Sequence, residues 1–342
     1  MSETRTPEVV APQPAAAEAS GLGRFLSSPT GRNSGLIVAL LLIVLVGVIT
    51  AAETFASVDN MMVILRQASI IGVISIGMTF VIISGGIDLS VGSVMGLATV
   101  VATLDFMQKT SNNTHWIVMV AVALAVGLVA GLINGIVIAY GNVVAFMSTL
   151  AMLVGARGLA EILADKRTLT VKDRDFTKLF RWDFFGIDLL IITFVLVAVA
   201  GWIILNRTTF GRRTVAIGGN REAARLAGID VKRHTMWLYA LSGLTAGIAA
   251  LMMLGRTTAG TSTHGTLYEL DAIAAVVVGG TLLVGGRGTI VGTVLGVLIF
   301  STLSNVFVQN NLSSSVQAVA KGVIIVAAVL LQQRLARKNS SD

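Results

Sequence analysis

Residues 67–104 read QASIIGVISIGMTFVIISGGIDLSVGSVMGLATVVATL, and Asp88 is the only charged residue in this stretch. A short segment that begins Ser84-Gly85-Gly86 separates two apolar runs. A helix needs about 20 mostly apolar residues to cross about 30 Å of hydrocarbon. The stretch therefore predicts one membrane-spanning helix that ends near the two glycines and a second that begins just after them.

The whole chain has the composition of a membrane protein. Of its 342 residues, 54% are hydrophobic and 13% are charged, whereas a soluble domain carries about a quarter charged residues. The net charge of +7 comes from basic residues between apolar runs, so membrane topology explains it better than nucleic-acid binding. The chain has no cysteine, and its three histidines are far apart, so we expect no disulfide, no metal site and no cofactor.

Apolar runs along the chain predict an all-α polytopic protein of about ten transmembrane helices. The predicted spans cover residues 34–54, 62–83, 89–106, 116–138, 143–163, 188–205, 236–255, 270–285, 289–308 and 315–331. Residues 1–33 are rich in Ala, Pro and Glu and are expected to form a disordered cytoplasmic tail rather than a cleaved signal. Residues 34–331 then form the transmembrane domain, and residues 332–342 a second cytoplasmic tail.

The basic residues predict the orientation of these helices. With both termini inside, the inner segments hold fourteen Lys and Arg residues and the outer segments hold eight. Because inner loops are enriched in Lys and Arg, this orientation is favoured, although the basic loop over 164–187 then lies outside.

Glycine-rich motifs occur at two corresponding places and indicate a possible internal parallel repeat. Gly85-Gly86 precedes one predicted helix and Gly279-Gly280 precedes another. Membrane transporters are often built from such repeats, although glycine-rich helices also resemble one another by chance.

The first motif supplies residues for a helix break. Two glycines free the backbone to turn, and Asp88 and Ser90 are suited to cap the following helix. One interpretation is a cap at the membrane edge, and the other is a break that lines a transport pathway or gate. The residues assigned to the break or gate are Gly85, Gly86, Asp88, Ser90, Gly279 and Gly280.

The loop over 206–235 has the signals of a short cytoplasmic helix. Asn220 can cap its start, Glu222 favours the first turn, and Gly228 can end it. The loop is either an ordinary basic inner loop or a docking helix for a cytoplasmic partner. No phosphate-binding Gly-x-x-x-x-Gly-Lys-Ser/Thr motif occurs in the sequence, so any ATPase must be a separate chain.

Two motifs in combination resemble the ribose-type permeases of ABC importers. The first runs from Gly85 to Gly92, and the second from Glu269 through Thr281 to Gly288. The loop from Gly218 to Ile229 resembles the segment of this family that touches the ATPase. The resemblance covers roughly residues 35–331.

The resemblance implies a permease subunit without enzymatic activity, in the bacterial cell (inner) membrane. Its implied partners are cytoplasmic ATPase subunits, a periplasmic or lipid-anchored sugar-binding protein, and a second permease subunit in a homo- or heterodimer. The residues that it assigns to ATPase coupling are Gly218, Asn220, Arg221, Glu222, Ala223, Ala224 and Gly228. It assigns no sugar ligand, and relatives that carry autoinducer-type or polyol ligands share the motifs, so the expected substrate is a ribose-like or other simple sugar.

Two other functions remain as alternatives. An ion-driven secondary transporter would use intramembrane carboxylates, for which Glu53, Glu161 and Asp271 are candidates. A membrane-embedded enzyme would need a cluster of His, Asp or Cys at the membrane edge, and the sequence has none.

Overall fold

The structure is a computed structural model that describes residues 29–184 and 186–338. Most of the predicted N-terminal tail, residues 1–28, lies outside the described residues. Residues 29–33 are helical and begin the first helix, and residues 332–338 continue the last helix, so helices extend into both predicted tails.

The described part of the chain is mostly helical. Its helices are α1 Pro29–Thr50, α2 Ala52–Phe55, α3 Val58–Ile83, α4 Val91–Thr103, α5 Asp105–Asn113, α6 Ile117–Ala139, α7 Ala145–Ala164, α8 Arg174–Arg181, α9 Leu189–Arg207, α10 Thr209–Gly219, α11 Arg221–Leu226, α12 Val231–Thr257, α13 Tyr268–Val278, α14 Ile290–Gln309 and α15 Ser314–Lys338. Four two-residue strands, β1 Leu169–Thr170, β2 Asp183–Phe184, β3 Ile187–Asp188 and β4 Ala259–Gly260, form two antiparallel pairs, β1 with β4 and β2 with β3.

The structure does not confirm ten spans. Within the described ranges, seven helices are long and apolar enough to cross a membrane, or eight if α4 and α5, which are bent by 57°, form one span. Two predicted spans are shorter than expected, because the helix over 89–106 ends at Thr103 and the helix over 270–285 ends at Val278. Both are bordered by glycine-containing turns, which end or delay the helices within the apolar runs.

Helix α3 is the centre of the bundle, with α9, α12, α13 and α14 packed around it. Its residues from Ala68 to Ile83 are all buried. The hydroxyls of Thr79 on α3 and Thr293 on α14 lie 2.7 Å apart and form a buried hydrogen bond between the two helices. Because α3 is enclosed on all sides, its C-terminal end is held in a fixed position.

Helices α6 and α12 pack closely through small residues. The glycines Gly127 and Gly131 of α6 lie against the backbone of α12 around Gly243 and Gly247. A Cβ atom at any of these positions would overlap the facing backbone, so the approach requires glycine. The GxxxG spacings here therefore serve packing within one chain.

Candidate functional site: the junction of two helix breaks and a short exposed helix

The first break ends α3 in a well-defined turn. The backbone N–H of Gly85 donates to Ile82 at 2.9 Å, and that of Gly86 donates to Val81 at 3.0 Å. Gly85 has a φ of 81°, a conformation that glycine adopts without strain. This pair of bonds is the Schellman C-cap, which satisfies the last carbonyls of a helix.

Asp88 lies in the loop between this turn and α4 and is buried, with 1% of its surface exposed. Its Oδ1 atom accepts from the backbone N–H of Ser90 at 3.0 Å and from the Ser90 hydroxyl at 2.6 Å. Its Oδ2 atom accepts from the hydroxyl of Ser242 on α12 at 2.8 Å. Asp88 therefore binds the amide of Ser90 just before α4 rather than an amide of its first turn, and the Ser90 hydroxyl holds the Asp88 carboxylate instead of capping the helix.

The Asp88 site extends to two further helices. The side-chain amide of Asn134 on α6 donates to the Ser90 hydroxyl at 2.9 Å, and Ser148 on α7 donates to Asn134 Oδ1 at 3.2 Å. The hydroxyl of Tyr239 donates to the carbonyl of Ile87 at 3.3 Å. This network fixes the first break to α6, α7 and α12, so the loop cannot shift without breaking buried hydrogen bonds.

The second break, between α13 and α14, begins with the same type of turn. The backbone N–H of Gly280 donates to Val277 at 2.8 Å and that of Thr281 donates to Val276 at 3.2 Å, with Gly280 at a φ of 89°. Gly279 lies against the backbone of Gly292 at the start of α14. The two breaks thus share a local geometry, with Gly85 corresponding to Gly280.

The two breaks are in direct contact. The backbone N–H of Gly286 in the second break donates to the carbonyl of Ile83 at the end of α3, at 2.7 Å. A Cβ atom at Gly285 would lie 2.9 Å from the backbone nitrogen of Gly85. Two loops that are about 200 residues apart in the sequence therefore form one structure.

Helix α10 ends on this same structure. A Cβ atom at Gly218 would overlap the carbonyl oxygen of Ile83 and lie 2.5 Å from the backbone nitrogen of Gly286. At Gly219, by contrast, nothing lies within 4 Å of the corresponding position. We call the contact of Ile83, Gly85, Gly218, Gly285 and Gly286 the glycine junction, in which Gly285 lies against both Gly85 and Gly218.

The short helix α11 follows the glycine junction and projects from it. Asn220 accepts from the backbone N–H of Ala223 at 2.9 Å and is its N-cap, as predicted. Gly228, at a φ of 82°, ends it in a third Schellman turn, in which Gly228 donates to Arg225 at 3.0 Å and Ile229 donates to Ala224 at 3.1 Å. The short helix predicted from the sequence is thus present.

One face of α11 is exposed and the other is anchored. Ala224 packs with Ile217, Ile229 and Val231 in a small buried cluster. Arg221, Glu222 and Ala223 are exposed, and Leu226 has 75% of its surface exposed. The guanidinium of Arg225 donates hydrogen bonds to the Glu222 carboxylate and holds the pKa of that carboxyl below its ordinary value.

The half-length helices α4 and α13 begin side by side. Gly92 in the first turn of α4 lies against the carbonyl of Gly265, just before α13. The buried Glu269 carboxylate of α13 also lies beside Gly92, and Arg157 of α7 donates to the carbonyls of Ser262 and His264 in the preceding loop. Interrupted helices of this kind are typical of membrane transporters.

Comparison with known proteins shows the family of this chain. Residues 60–330 match the family described as the branched-chain amino acid transport system / permease component. The chain is 42% identical to the ribose import permease of Bacillus subtilis (strain 168), over 86% of this chain and 90% of the relative. It is 38% identical to the ribose import permease of Haemophilus influenzae, over 93% of this chain and 96% of the relative. The chain belongs to the family of ribose-type ABC importer permeases.

Other relatives are named for other sugars. The chain is 40% identical to the L-arabinose transport system permease of Escherichia coli (strain K12), over 82% of this chain and 84% of the relative. No solved structure matches the chain significantly. Members of this family are transport subunits of ABC importers, which work with an ATPase and a binding protein, and the chain is a multi-pass protein of the bacterial cell (inner) membrane.

The structure brings some of the predicted residues together in the candidate site and adds others to it. Gly85 and Gly218 both lie against Gly285 in the glycine junction, whereas Asp88 and Ser90 belong to the neighbouring polar network. Asn134 was missed, although it is the only polar side chain in the apolar run 117–139 and that isolation was a usable signal. Ser242 and Tyr239 had no comparable signal.

Proposed function

We propose that this permease imports a simple sugar, with ribose as the first candidate. Three relatives that are 38–42% identical over 86–93% of the chain are named ribose import permeases. Relatives named for L-arabinose and for galactose or methyl galactoside are 40% and 36% identical over 82% and 90% of the chain. The broader family description names branched-chain amino acids, but the sugar-permease relatives match across nearly their whole length, which favours a sugar.

The glycine junction is the observation that carries the proposed mechanism. An exposed helix that binds the ATPase can move the membrane helices only if it is connected to them without slack. Here α10 ends against the carbonyl of Ile83 and the amide of Gly286, so a displacement of α11 pushes on both helix breaks at once. Because closely packed interiors transmit displacements, ATP-driven closure of the ATPase subunits reorients the helices around a central pathway.

The individual residues divide between docking and support. Asn220 and Gly228 fix the two ends of α11, and Arg221, Glu222 and Ala223 offer an exposed surface to the ATPase. Ala224 lies on the buried face of α11, and Gly218 is part of the glycine junction. These two residues therefore support the docking surface rather than touch the partner.

The arrangement of the whole importer follows from the orientation that the basic residues predict. We place both termini and α11 on the cytoplasmic side and the loop that contains α8 on the opposite side, where a binding protein delivers the sugar. A second permease subunit, identical or homologous, completes the pathway. The pathway opens and closes at the two helix breaks, which contain Gly85, Gly86, Asp88, Ser90, Gly279 and Gly280.

Uptake of labelled sugars into proteoliposomes tests this proposal. The vesicles contain the permease with its ATPase and binding-protein partners and with ATP on the ATPase side, and uptake of labelled ribose, L-arabinose and galactose is compared. We expect uptake of ribose that requires both partners and ATP.

Two results would contradict the proposal. Uptake by the permease alone along an ion gradient would make it a secondary transporter. Uptake of branched-chain amino acids, with no response to the three sugars, would retain the importer but overturn the sugar assignment.

A further inference from the structure

A cavity of about 540 Å³ lies against α12, outside the glycine junction. Besides α12, it is lined by Leu128 of α6, Ile204 of α9, and Phe210 and Arg213 of α10. We call this cavity the basic groove, because arginines stand at one end of it. Most of its other lining residues are apolar and belong to membrane-spanning helices.

The side chains of α12 that line the groove recur with helical periodicity. Arg233, Trp237, Leu241 and Leu244 follow one another at intervals of three or four residues, so they share one face of the helix, and His234 lies next to Arg233 in the same lining. The twelve residues from Arg233 to Leu244 extend about 16 Å along the axis. The groove is therefore elongated, with charge at the start of α12 and leucines deeper along the span.

Charge at the open end is positive. Arg213 and Arg233 are both exposed, and neither forms an ion pair within the part of the chain that the structure describes. Asp230 is the acidic residue of the lining, and its Oδ1 atom already accepts from the backbone N–H of Arg233 at 3.0 Å as the N-cap of α12. Two guanidinium groups thus face the opening against one engaged carboxylate.

The wall of the groove between these ends is firmly built. His234 is buried, and its Nε2 atom lies 2.9 Å from the Thr214 hydroxyl. The centroid of its ring lies 4.4 Å from that of Phe210. Trp237 is 45% exposed beside them, the half-exposed state that is favourable for an indole at a membrane interface.

We propose that the basic groove binds one anionic phospholipid. Arg213 and Arg233 hydrogen-bond the phosphate, since guanidinium groups suit phosphate oxygens. An acyl chain lies along Leu241, Leu244 and Leu128. Basic pockets between membrane helices are suited to anionic head groups. A soluble protein partner fits less well, because most of the walls lie on membrane-spanning helices that such a partner does not reach.

Lipid binding by the purified full-length chain tests this proposal. Bound phosphatidylglycerol and phosphatidylcholine are counted by native mass spectrometry after titration in detergent. The test variant is Arg213→Gln with Arg233→Gln. The control is Arg212→Gln with Lys232→Gln, which removes the same charge from adjacent exposed positions outside the groove.

We expect the chain and the control variant to bind phosphatidylglycerol in preference to phosphatidylcholine. The test variant should bind it about thirty-fold more weakly, since each basic residue near a membrane surface contributes about a factor of five. Leu128→Trp, which fills the apolar part of the groove and keeps both arginines, should weaken binding as well, with thermal unfolding showing that the variants are folded.

Several outcomes would overturn the proposal. Equal binding by the test variant and the unmodified chain would exclude the groove as the site. Equal loss in the control variant would show that only overall charge matters. Displacement of the lipid by millimolar inorganic phosphate would point to a phosphate site, and loss of dimers or of the ATPase, with lipid binding retained, would assign the groove to a protein partner.

Discussion

The two ends of the segment from Gly218 to Gly228 are both marked by glycine, but for opposite physical reasons. At Gly218 the surroundings leave no room for a side chain, and the backbone conformation is one that any residue adopts. At Gly228 the space is open, and the backbone has a φ of 82° that most residues adopt only with strain.

Under the proposed mechanism, this difference separates the transmission of motion, at Gly218, from docking of the ATPase, near Gly228. The Gly218 end has a fixed position because α3 and the second break contact it directly. The Gly228 end only shapes a helix whose outer face is exposed. Changes at the first end should therefore affect transport through packing, and changes at the second end through the shape of the helix.

The largest effect is expected for Gly218→Ala. The added methyl group overlaps the Ile83 carbonyl and approaches the Gly286 amide, both of which are backbone atoms that cannot rotate away. Overpacking of this kind costs about 1–3 kcal/mol, and since about 1.4 kcal/mol is a factor of ten, we expect uptake in proteoliposomes to fall about ten-fold or more.

Gly219→Ala is the matched control for this variant. Its Cβ atom meets nothing within 4 Å and alanine favours a helix, so uptake should stay within about two-fold of the unmodified protein. Equal uptake by both variants would show that the glycine junction does not transmit motion.

A smaller effect is expected for Gly228→Val. The valine side chain has room, but its left-handed backbone conformation costs about 1–2 kcal/mol and opens the turn that ends α11. We expect sugar-stimulated ATP hydrolysis by the reconstituted complex to fall several-fold while the chain still inserts and purifies normally.

Gly228→Asn provides the comparison, because asparagine adopts this conformation more readily than other non-glycine residues. It should retain most of the stimulated activity. Full activity of the valine variant would show that the shape of this turn does not matter for coupling to the ATPase.

The smallest effect concerns pH and the exposed pair of Glu222 and Arg225. The hydrogen bonds from Arg225 lower the pKa of Glu222 below its ordinary value of 4.5. The contribution of the pair to the stability of α11 is therefore fully present above pH 4.5 and is lost as the pH falls through the lowered pKa of Glu222. Hydrogen-exchange protection of α11 should be constant from pH 6 to pH 8 and decrease only in strong acid.

Glu222→Gln should remove this acid sensitivity, because glutamine does not titrate. A decrease of protection between pH 6 and pH 8 in the unmodified chain would contradict the assignment to Glu222.

The sequence predicted local features well. Asn220 and Gly228 were recognised as the ends of a short helix, because a cap acts on amides only two to five residues away. It also predicted most of the long apolar helices, since the length of an apolar run is a local property. The lengths of α4 and α13 were overestimated, because an apolar run does not show where a turn inside the bundle begins.

What the sequence by itself determined about this protein is its class, its family and the helix that leaves the membrane domain, all of which are recorded in runs and motifs of neighbouring residues. Only the tertiary structure decided that Gly218 meets Ile83 and Gly286, and that Asp88 receives a hydrogen bond from Ser242. These contacts join residues that are 68 to 154 positions apart. Such contacts depend on how the helices pack against one another, and no local pattern specifies that packing.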